Sequence, residues 1–189
     1  MKGDYYKTKE SVEEYIQLAK DVNGKKLIVK LHRVLPARSS LLELGSGPGT
    51  DWRLLNGIYQ VIGSDNSSEF LKHLKVNNPN GKFLELDAIT LDTDQTFEGI
   101  YSNKVLIHLR DEELKASIKR QAQILGPDGI ICHSFWQGEG SEIFKGLFVN
   151  YQNEKRLKEF FENDFEILSI ESYAEFEADD SLVLIGKKK

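Results

Sequence analysis

The sequence has few of the features that mark extracellular, membrane-spanning or nucleic-acid-binding chains. Its 189 residues include one cysteine, Cys132, so an internal disulfide is excluded. Cys132 lies in an apolar run and is expected to be a buried thiol rather than a nucleophile. No apolar run approaches the roughly 20 residues that cross a bilayer, and residues 1–6 lack the apolar core of a signal peptide. These absences predict a cytoplasmic protein without a membrane partner.

Concentrated positive charge is also scarce. The chain has 25 Lys and Arg against 30 Asp and Glu, a net charge of −5, and the basic residues are scattered apart from the three lysines at 187–189. Because affinity for nucleic acid comes mainly from basic surfaces that neutralise phosphates, nucleic acid is not an expected partner. The sequence predicts no metal site, and it leaves the oligomeric state open.

Extended and helical patterns alternate along most of the chain. Short runs typical of strands occur at 41–44, 60–64, 82–86, 97–102 and 129–134. Helical apolar spacing separates most of these runs, so the sequence predicts βαβ units and a parallel sheet. The last two extended runs, 165–172 and 182–185, have no helix between them and are predicted to pair as an antiparallel hairpin.

The chain divides into a short N-terminal segment and one domain. Residues 1–24 are interpreted as a helical segment and a candidate lid, and residues 25–189 as the domain. Within the domain, Ser67 and Asp111 are predicted to cap the N-termini of helices. The stretch 135–148 is rich in glycine and aromatic residues and has no assignable pattern, and long connections of this kind at strand ends are often functional.

Three glycines follow the first predicted strand. Gly45, Gly47 and Gly49 lie between that strand and a helix that begins at Thr50. Glycine allows a sharp turn and lets a ligand approach the backbone where a Cβ would block it. The N-terminus of the following helix presents amide hydrogens and a partial positive charge. Alone, such a turn is weak evidence for ligand binding, since many glycine-rich turns only redirect the chain.

Two acidic residues strengthen the interpretation of this turn. Asp65 follows the second strand, 20 residues after Gly45 (65 − 45), a spacing at which a carboxylate reaches ribose hydroxyls in nucleotide-binding folds. A solvated carboxylate at a strand end is the alternative. A dinucleotide fingerprint requires a third glycine where this chain has Thr50. Glu43, beside the turn, would repel phosphate and suits a ligand that carries an ammonium group.

The segment E-L-G-S-G-P-G at 43–49 resembles motif I of the class I S-adenosylmethionine-dependent methyltransferases, particularly the compact small-molecule type. Further segments match that family in order, namely V-I-G-S-D-N-S at 61–67, F-L-E-L-D-A at 83–88, F-E-G-I-Y-S-N-K-V-L-I-H-L at 97–109 and I-L-G-P-D-G-I-I at 124–131. The resemblance covers roughly residues 25–189. It implies a Rossmann-like α/β fold with a mostly parallel seven-stranded sheet, an antiparallel last strand inserted between strands five and six, and helices on both faces.

The resemblance also implies a binding site for S-adenosylmethionine. Its expected residues are Glu43, Gly45, Ser46, Gly47, Gly49, Asp65, Asn66, Asp87, Ala88, Ser102 and Asn103. In this family Asp65 would bind the ribose hydroxyls and Asp87 would accept a hydrogen bond from the adenine amino group. The region of Ser102 and Asn103 would face the methionine portion of the cofactor.

The acceptor side of the site is less defined. The resemblance places His108 near the cofactor as the candidate catalytic residue, and a hydrogen-bonded structural histidine is the alternative. Many relatives have two histidines where this chain has Ile107 and His108. Tyr6, Trp136 and Tyr151 are the candidate acceptor-binding residues, and packing beneath a long loop is the alternative.

Two functions stay open from the sequence. The first is methyl transfer from S-adenosylmethionine to a small-molecule acceptor, which leaves S-adenosylhomocysteine. The second is a cofactor-binding protein of the same fold that acts as a regulatory or scaffolding subunit without catalysis. The two functions share the cofactor site and differ on the acceptor side. A dinucleotide-dependent oxidoreductase is a more distant third reading.

Overall fold

The structure is a computed structural model that describes residues 8–20 and 22–189. The helices in this part of the chain are α1 (Lys9–Leu18), α2 (Lys25–Leu31), α3 (Thr50–Asn56), α4 (Ser68–Asn77), α5 (Asp111–Ile124) and α6 (Glu154–Phe161). The strands are β1 (Ser40–Leu44), β2 (Gln60–Asp65), β3 (Lys82–Glu85), β4 (Phe97–Asn103), β5 (Leu125–Trp136), β6 (Ser141–Phe144), β7 (Leu147–Asn150), β8 (Phe165–Tyr173) and β9 (Ser181–Lys188). A 3₁₀ turn, Leu106–His108, follows β4.

Seven strands form one sheet in the order β3-β2-β1-β4-β5-β9-β8. Neighbours from β3 through β5 are parallel, whereas β9 is antiparallel to both β5 and β8. The predicted Rossmann-like sheet with an antiparallel last strand is therefore confirmed, as is the predicted terminal hairpin, β8–β9. The strand order reverses between β1 and β4. In open α/β sheets, ligands bind beyond the carboxyl ends of the strands at such a switch point.

Apolar side chains form two cores, one on each face of the sheet. Successive residues of a strand point to opposite faces. Leu41 accordingly packs in the core that includes α2 and α3, and Leu42 packs in the core that includes α5 and α6. Helices cover both faces, as predicted, and this is why β1 reads as an almost continuous apolar run. Glu43 interrupts that run, so β1 carries a buried carboxyl group towards its carboxyl end.

The N-terminal helix α1 rests on α4. Val12 is buried, and the ring of Tyr15 meets the ring of Phe70 edge-on with 5.8 Å between centroids. The sequence S-V-E-E at 11–14 predicts a capping box that begins at Ser11, but the helix begins earlier. Thr8 is the N-cap, and its side chain accepts from the backbone N–H of Ser11. In the described part of the chain no helix has the length and apolar character of a membrane span.

The stretch after β5, which has no assignable sequence pattern, contains a β-hairpin. β5 extends through Trp136 because it pairs with β9 as far as Ser181. Strands β6 and β7 then pair antiparallel around Lys145 and Gly146, whose φ angles are 49° and 80°. A two-residue hairpin turn with both φ angles positive usually carries Asn-Gly or Asp-Gly. Lysine in the first position hides that signal in the sequence.

Two predicted helix starts have different outcomes. Ser67 caps α4, as predicted, because its hydroxyl accepts from the N–H of Phe70 at 3.3 Å. The prediction that Asp111 caps α5 is wrong by one residue. Arg110 is the N-cap, and its N–H donates to the Glu113 carboxylate at 2.8 Å. Asp111 begins the helix instead, and its carboxylate accepts from Arg156 at 2.7 Å.

Candidate functional site

The three glycines of the turn at the end of β1 are required by their backbone conformation, and two of them also by close packing. Gly45, Gly47 and Gly49 have φ angles of 63°, 47° and 78°, in the left-handed region that other residues rarely adopt. A Cβ at Gly45 would lie 2.5 Å from Val105, and one at Gly49 would lie 2.6 Å from Leu74. A Cβ at Gly47 would meet nothing closer than 4.0 Å. The backbone of Gly47 is therefore open to the approach of a ligand.

Asp65, at the end of β2, is joined directly to this turn. One of its carboxylate oxygens accepts from the N–H of Gly47 at 3.0 Å, and the other accepts from the N–H of Ser67 at 2.9 Å. Burial raises the pKa of Asp65, and these backbone hydrogen bonds act in the opposite direction. Asn66 follows it and is exposed. Sequence spacing alone thus places Asp65 correctly beside the glycines.

Glu43 lies beneath the turn and is 2% exposed. Its carboxyl group accepts a hydrogen bond of 2.5 Å from the hydroxyl of Ser46. Burial is the main reason that its pKa rises to about 8, and the neighbouring carboxylate of Asp51 adds to the rise. At neutral pH the carboxyl group of Glu43 is therefore largely protonated, and a cation placed beside it would favour ionisation.

Asp51 completes the group of buried acids and is not predicted from the sequence. Its carboxylate accepts from the N–H of Gly24 at 2.6 Å, from the hydroxyl of Tyr101 at 2.7 Å and from the amide of Asn103 at 3.1 Å. It therefore connects the start of α2, the end of β4 and the glycine turn. Acidic residues are common in the first turn of a helix because they interact favourably with the helix dipole. The position of Asp51 after Gly49 therefore does not predict a role in the site.

The side chains of Ser102 and Asn103 lie on opposite faces of the sheet. Asn103 reaches Asp51 on one side, and its carbonyl oxygen accepts from Ser134 at 2.6 Å. Ser102 is 0% exposed, and its hydroxyl lies 2.8 Å from Nδ1 of His133 on the other side. Of these two predicted residues, only Asn103 has its side chain among the acids.

The loop after β3 lies beside Asp65. The N–H of Leu86 donates to the backbone carbonyl of Asp65 at 3.1 Å. Asp87 accepts from the N–H of Ile89 at 2.8 Å, and the carbonyl of Ala88 accepts from Ser117 at 2.6 Å. The structure thus brings the predicted ribose and adenine residues to one edge of the sheet.

His108 occupies the 3₁₀ turn after β4. Its Nδ1 lies 2.8 Å from the carbonyl oxygen of Phe148 in β7. Because a carbonyl can only accept, Nδ1 carries the hydrogen. Burial lowers the pKa of His108, so the imidazole is neutral at physiological pH. This contact fixes the ring against the β6–β7 hairpin.

The three predicted acceptor residues have different surroundings. Trp136, at the end of β5, stacks against Phe176 with 5.9 Å between ring centroids. The hydroxyl of Tyr151 donates to Glu142 at 2.6 Å across the β6–β7 hairpin. Tyr6 lies outside the described residues.

Lys104, directly after β4, is a second residue that is not predicted from the sequence. Its amine donates to the Phe135 carbonyl at 2.9 Å and to the Ser181 hydroxyl at 2.6 Å, and it lies 3.7 Å from the centre of a Trp136 ring. Burial lowers the pKa of Lys104 to about 7, while Glu175 and Asp180 act in the opposite direction. A partly desolvated amine therefore stands next to Trp136 at the carboxyl edge of the sheet.

Comparison with known families relates the central part of this chain to one of them. Residues 41–129 match the model of a methyltransferase domain family. The matched segment is a methyltransferase domain, and together with the fold it supports a class I methyltransferase. The match begins in β1 and spans the glycine turn, Asp65 and the loop after β3, which are the elements of the candidate site.

Solved structures of methyltransferases share the fold of this chain over almost its whole length. The 1,6-didemethyltoxoflavin N1-methyltransferase of Burkholderia thailandensis, bound to 1,6-didemethyltoxoflavin and S-adenosylhomocysteine, has a TM-score of 0.80 at 19% identity, and the match covers 95% of this chain and 84% of that one. The N-methyltransferase NodS of Bradyrhizobium japonicum, bound to S-adenosylhomocysteine, has a TM-score of 0.74 at 14% identity and 98% coverage of both chains. An S-adenosylmethionine-dependent methyltransferase of Clostridium acetobutylicum has a TM-score of 0.76 at 12% identity, with 95% and 98% covered. Such identities show the fold alone. No curated protein matches this chain in sequence.

Proposed function

We propose that this protein transfers the methyl group of S-adenosylmethionine to a small-molecule acceptor and releases S-adenosylhomocysteine. The observation that carries the proposal is the glycine turn with three buried acids around it, Glu43, Asp51 and Asp65. S-adenosylmethionine has an ammonium and a sulfonium group, so carboxylates favour it, whereas they disfavour the pyrophosphate of a dinucleotide. The relatives that were solved with S-adenosylhomocysteine support the same ligand.

Each part of the cofactor has a counterpart among the described residues. The open backbone at Gly47 and the carboxylate of Asp65 suit the ribose, because a carboxylate accepts from both ribose hydroxyls. Glu43 and Asp51 lie together beside the turn, where an ammonium group would be attracted to the Asp51 carboxylate and would favour the ionisation of Glu43. Asp87 lies on the loop beside Asp65 and suits the amino group of adenine.

The chain contributes positioning more than acid–base chemistry. The bound sulfonium supplies an activated methyl group, so the residues need to hold the acceptor in line with it and to exclude water. A base is needed only where the acceptor must lose a proton. His108, neutral and fixed to the Phe148 carbonyl, is the candidate for that task. Trp136 and Tyr151 are the candidate acceptor-binding residues.

We also infer that α1, the described helix of the predicted lid segment 1–24, covers the acceptor side. Support comes from α1 and the β6–β7 hairpin, which meet where the Lys145 amine lies 3.5 Å from the Glu14 carboxylate. The pair is exposed and adds little stability. It shows only that α1 and the β6–β7 hairpin are close together. Limited proteolysis of this segment should slow when S-adenosylhomocysteine is bound. Equal cleavage rates with and without ligand would contradict the lid.

Calorimetry with S-adenosylmethionine and S-adenosylhomocysteine tests the proposal at the cofactor site. We expect wild type to bind both, and Asp65→Asn to weaken binding by about 1–3 kcal/mol, as when a charged hydrogen-bond partner is lost. Asp128→Asn is the matched control. Asp128 is an exposed carboxylate near the start of β5, away from the glycine turn, and it pairs with Lys187 at 2.9 Å. Absence of binding at millimolar ligand would overturn the proposal.

Catalysis requires a separate measurement. A panel of small acceptors, including 1,6-didemethyltoxoflavin, can be screened for the release of S-adenosylhomocysteine. Turnover with any of them supports an enzyme. Tight cofactor binding without turnover across the panel would favour the non-catalytic alternative.

A further inference from the structure

A continuous chain of buried polar groups crosses the domain from β4 to the loop after β3. Ser102 lies 2.8 Å from Nδ1 of His133, and Nε2 of His133 lies 2.8 Å from the carbonyl oxygen of Gln121. The amide nitrogen of Gln121 donates to Ser117 at 3.1 Å, and Ser117 donates to the Ala88 carbonyl at 2.6 Å. All four side chains are 0% exposed. Burial of so many polar groups is costly unless every one is paired.

The direction of every hydrogen bond in this chain follows from its last member. A backbone carbonyl can only accept, so Ser117 must give its single hydrogen to Ala88. The oxygen of Ser117 then accepts from the amide nitrogen of Gln121, which turns the Gln121 carbonyl towards His133. Nε2 of His133 therefore carries the hydrogen, and Nδ1 accepts from Ser102.

The histidine is suited to this fixed arrangement. Burial lowers the pKa of His133 to about 3. The imidazole therefore stays neutral, with one donor and one acceptor nitrogen, as the chain requires. A protonated ring would have two donors and would break the bond with Ser102 or reverse it.

The same helix holds the rest of the loop. Arg120 of α5 donates to the Leu91 carbonyl at 3.2 Å and to the Thr93 carbonyl at 2.8 Å. Leu91 has a φ of 42°, which a branched residue adopts only when its surroundings hold it there. The helix α5 thus anchors the loop at three carbonyl groups.

The anchored carbonyl of Ala88 also controls the carboxylate of Asp87. The C=O and N–H of one planar trans peptide point in opposite directions. Holding the Ala88 oxygen against Ser117 therefore turns the N–H of Ile89 the other way, where it donates to Asp87 at 2.8 Å. The orientation of the Asp87 carboxylate is set through this peptide.

We propose that Ser117, held by Gln121, His133 and Ser102, is a positioning residue that orients the Asp87 carboxylate towards the adenine amino group. The inference rests on the proposed function, since adenine belongs to the proposed cofactor. It also assigns Ser102 a role inside the core: its hydrogen is committed to His133, so it has no hydrogen to donate to the methionine carboxylate.

The test compares two ligands that differ at the group Asp87 would recognise. S-inosylhomocysteine has an oxygen where S-adenosylhomocysteine has the amino group. We expect wild type to prefer S-adenosylhomocysteine by at least about tenfold, because the Asp87 carboxylate would face an acceptor oxygen of S-inosylhomocysteine instead of the amino group that donates to it. Ser117→Ala should weaken the binding of S-adenosylhomocysteine about five- to tenfold and leave S-inosylhomocysteine nearly unchanged.

The matched control is Ser39→Ala, which removes another buried serine hydroxyl at the opposite end of the sheet and should preserve the preference. Ser117→Thr keeps the hydroxyl and should therefore keep the preference for S-adenosylhomocysteine. Equal losses for both ligands in Ser117→Ala, or no loss, would overturn the inference while leaving the proposed function intact. If wild type binds neither ligand, both this inference and the proposed function are wrong.

A measurement on wild type avoids any dependence on the folding of variants. Nitrogen-15 spectra of the His133 ring should show hydrogen on Nε2 and a bare Nδ1. Hydrogen on Nδ1 would contradict the direction of the chain, and with it the anchoring of Ala88 by Ser117.

Discussion

The buried carboxyl group of Glu43 should make the stability of the protein depend on pH in an unusual direction. Glu43→Gln keeps the size of the side chain and its ability to accept from Ser46, but removes the ionisable group. In the native protein the charged groups that act on Glu43 are Asp51 and Asp65, which disfavour its ionisation, and Arg53, which favours it. Burial outweighs Arg53, so the native protein retains this proton more strongly than the unfolded chain does.

The magnitude follows from the two pKa values. The native pKa is about 8 and the ordinary value is 4.5. The contribution of Glu43 to stability is complete below about pH 4.5 and is lost as pH rises through about 8. Each pH unit in this window corresponds to about 1.4 kcal/mol. From pH 5 to pH 8 the free energy of unfolding of wild type, relative to Glu43→Gln, should fall by about 4 kcal/mol.

Urea unfolding of both proteins at pH 5, 6, 7 and 8 measures this difference directly, because groups common to both cancel. Glu166→Gln, which neutralises an exposed carboxylate on β8, controls for the loss of one negative charge. A difference between wild type and Glu43→Gln that is constant from pH 5 to pH 8 would refute the burial argument. A difference that rises with pH would show that Glu43 is ionised in the native state.

Two further variants probe groups that the sequence does not single out. Gly24→Ala places a Cβ 2.0 Å from the Tyr101 hydroxyl. It should lower the free energy of unfolding by about 1–3 kcal/mol in urea, whereas Gly57→Ala should have a small effect because its Cβ meets nothing closer than 3.4 Å. Lys104→Met removes an amine whose native pKa, about 7, is below the usual 10.5. The stability of wild type relative to this variant should therefore rise as pH increases from 7 towards 10, and a flat difference would contradict the desolvation of Lys104.

Local patterns predict much of the fold and part of the site. Three features could be placed from the sequence: the strand that carries Glu43, the glycine turn around Gly47 and the acid Asp65. Each depends on short-range spacing and on the rule that parallel strands end at one edge. The hairpin β6–β7 could not, because Lys145 occupies a turn position where glycine or asparagine usually gives the signal.

The remaining site features depend on contacts between distant parts of the chain. Asp51 belongs to the site because Tyr101 and Asn103 of β4 and Gly24 before α2 donate hydrogen bonds to it. The sequence of its own helix, α3, indicates none of these contacts. Ser117 and Gln121 look like ordinary polar residues of a helix, and only the packing of α5 on the sheet shows that both are fully buried. Polar residues at helical spacing give the same pattern whether they face water or a network.

The position of β9 has a consequence for the order in which the protein folds. β9 is the last strand of the sheet in the chain, yet it lies between β5 and β8. During synthesis, β5 can join the parallel part of the sheet, but its other edge and β8 have no neighbour until residues 181–188 have left the ribosome. Exposed strand edges invite pairing with other chains. The nascent protein therefore passes through a stage with an unprotected edge, and slow synthesis before residues 181–188 emerge would lengthen that stage.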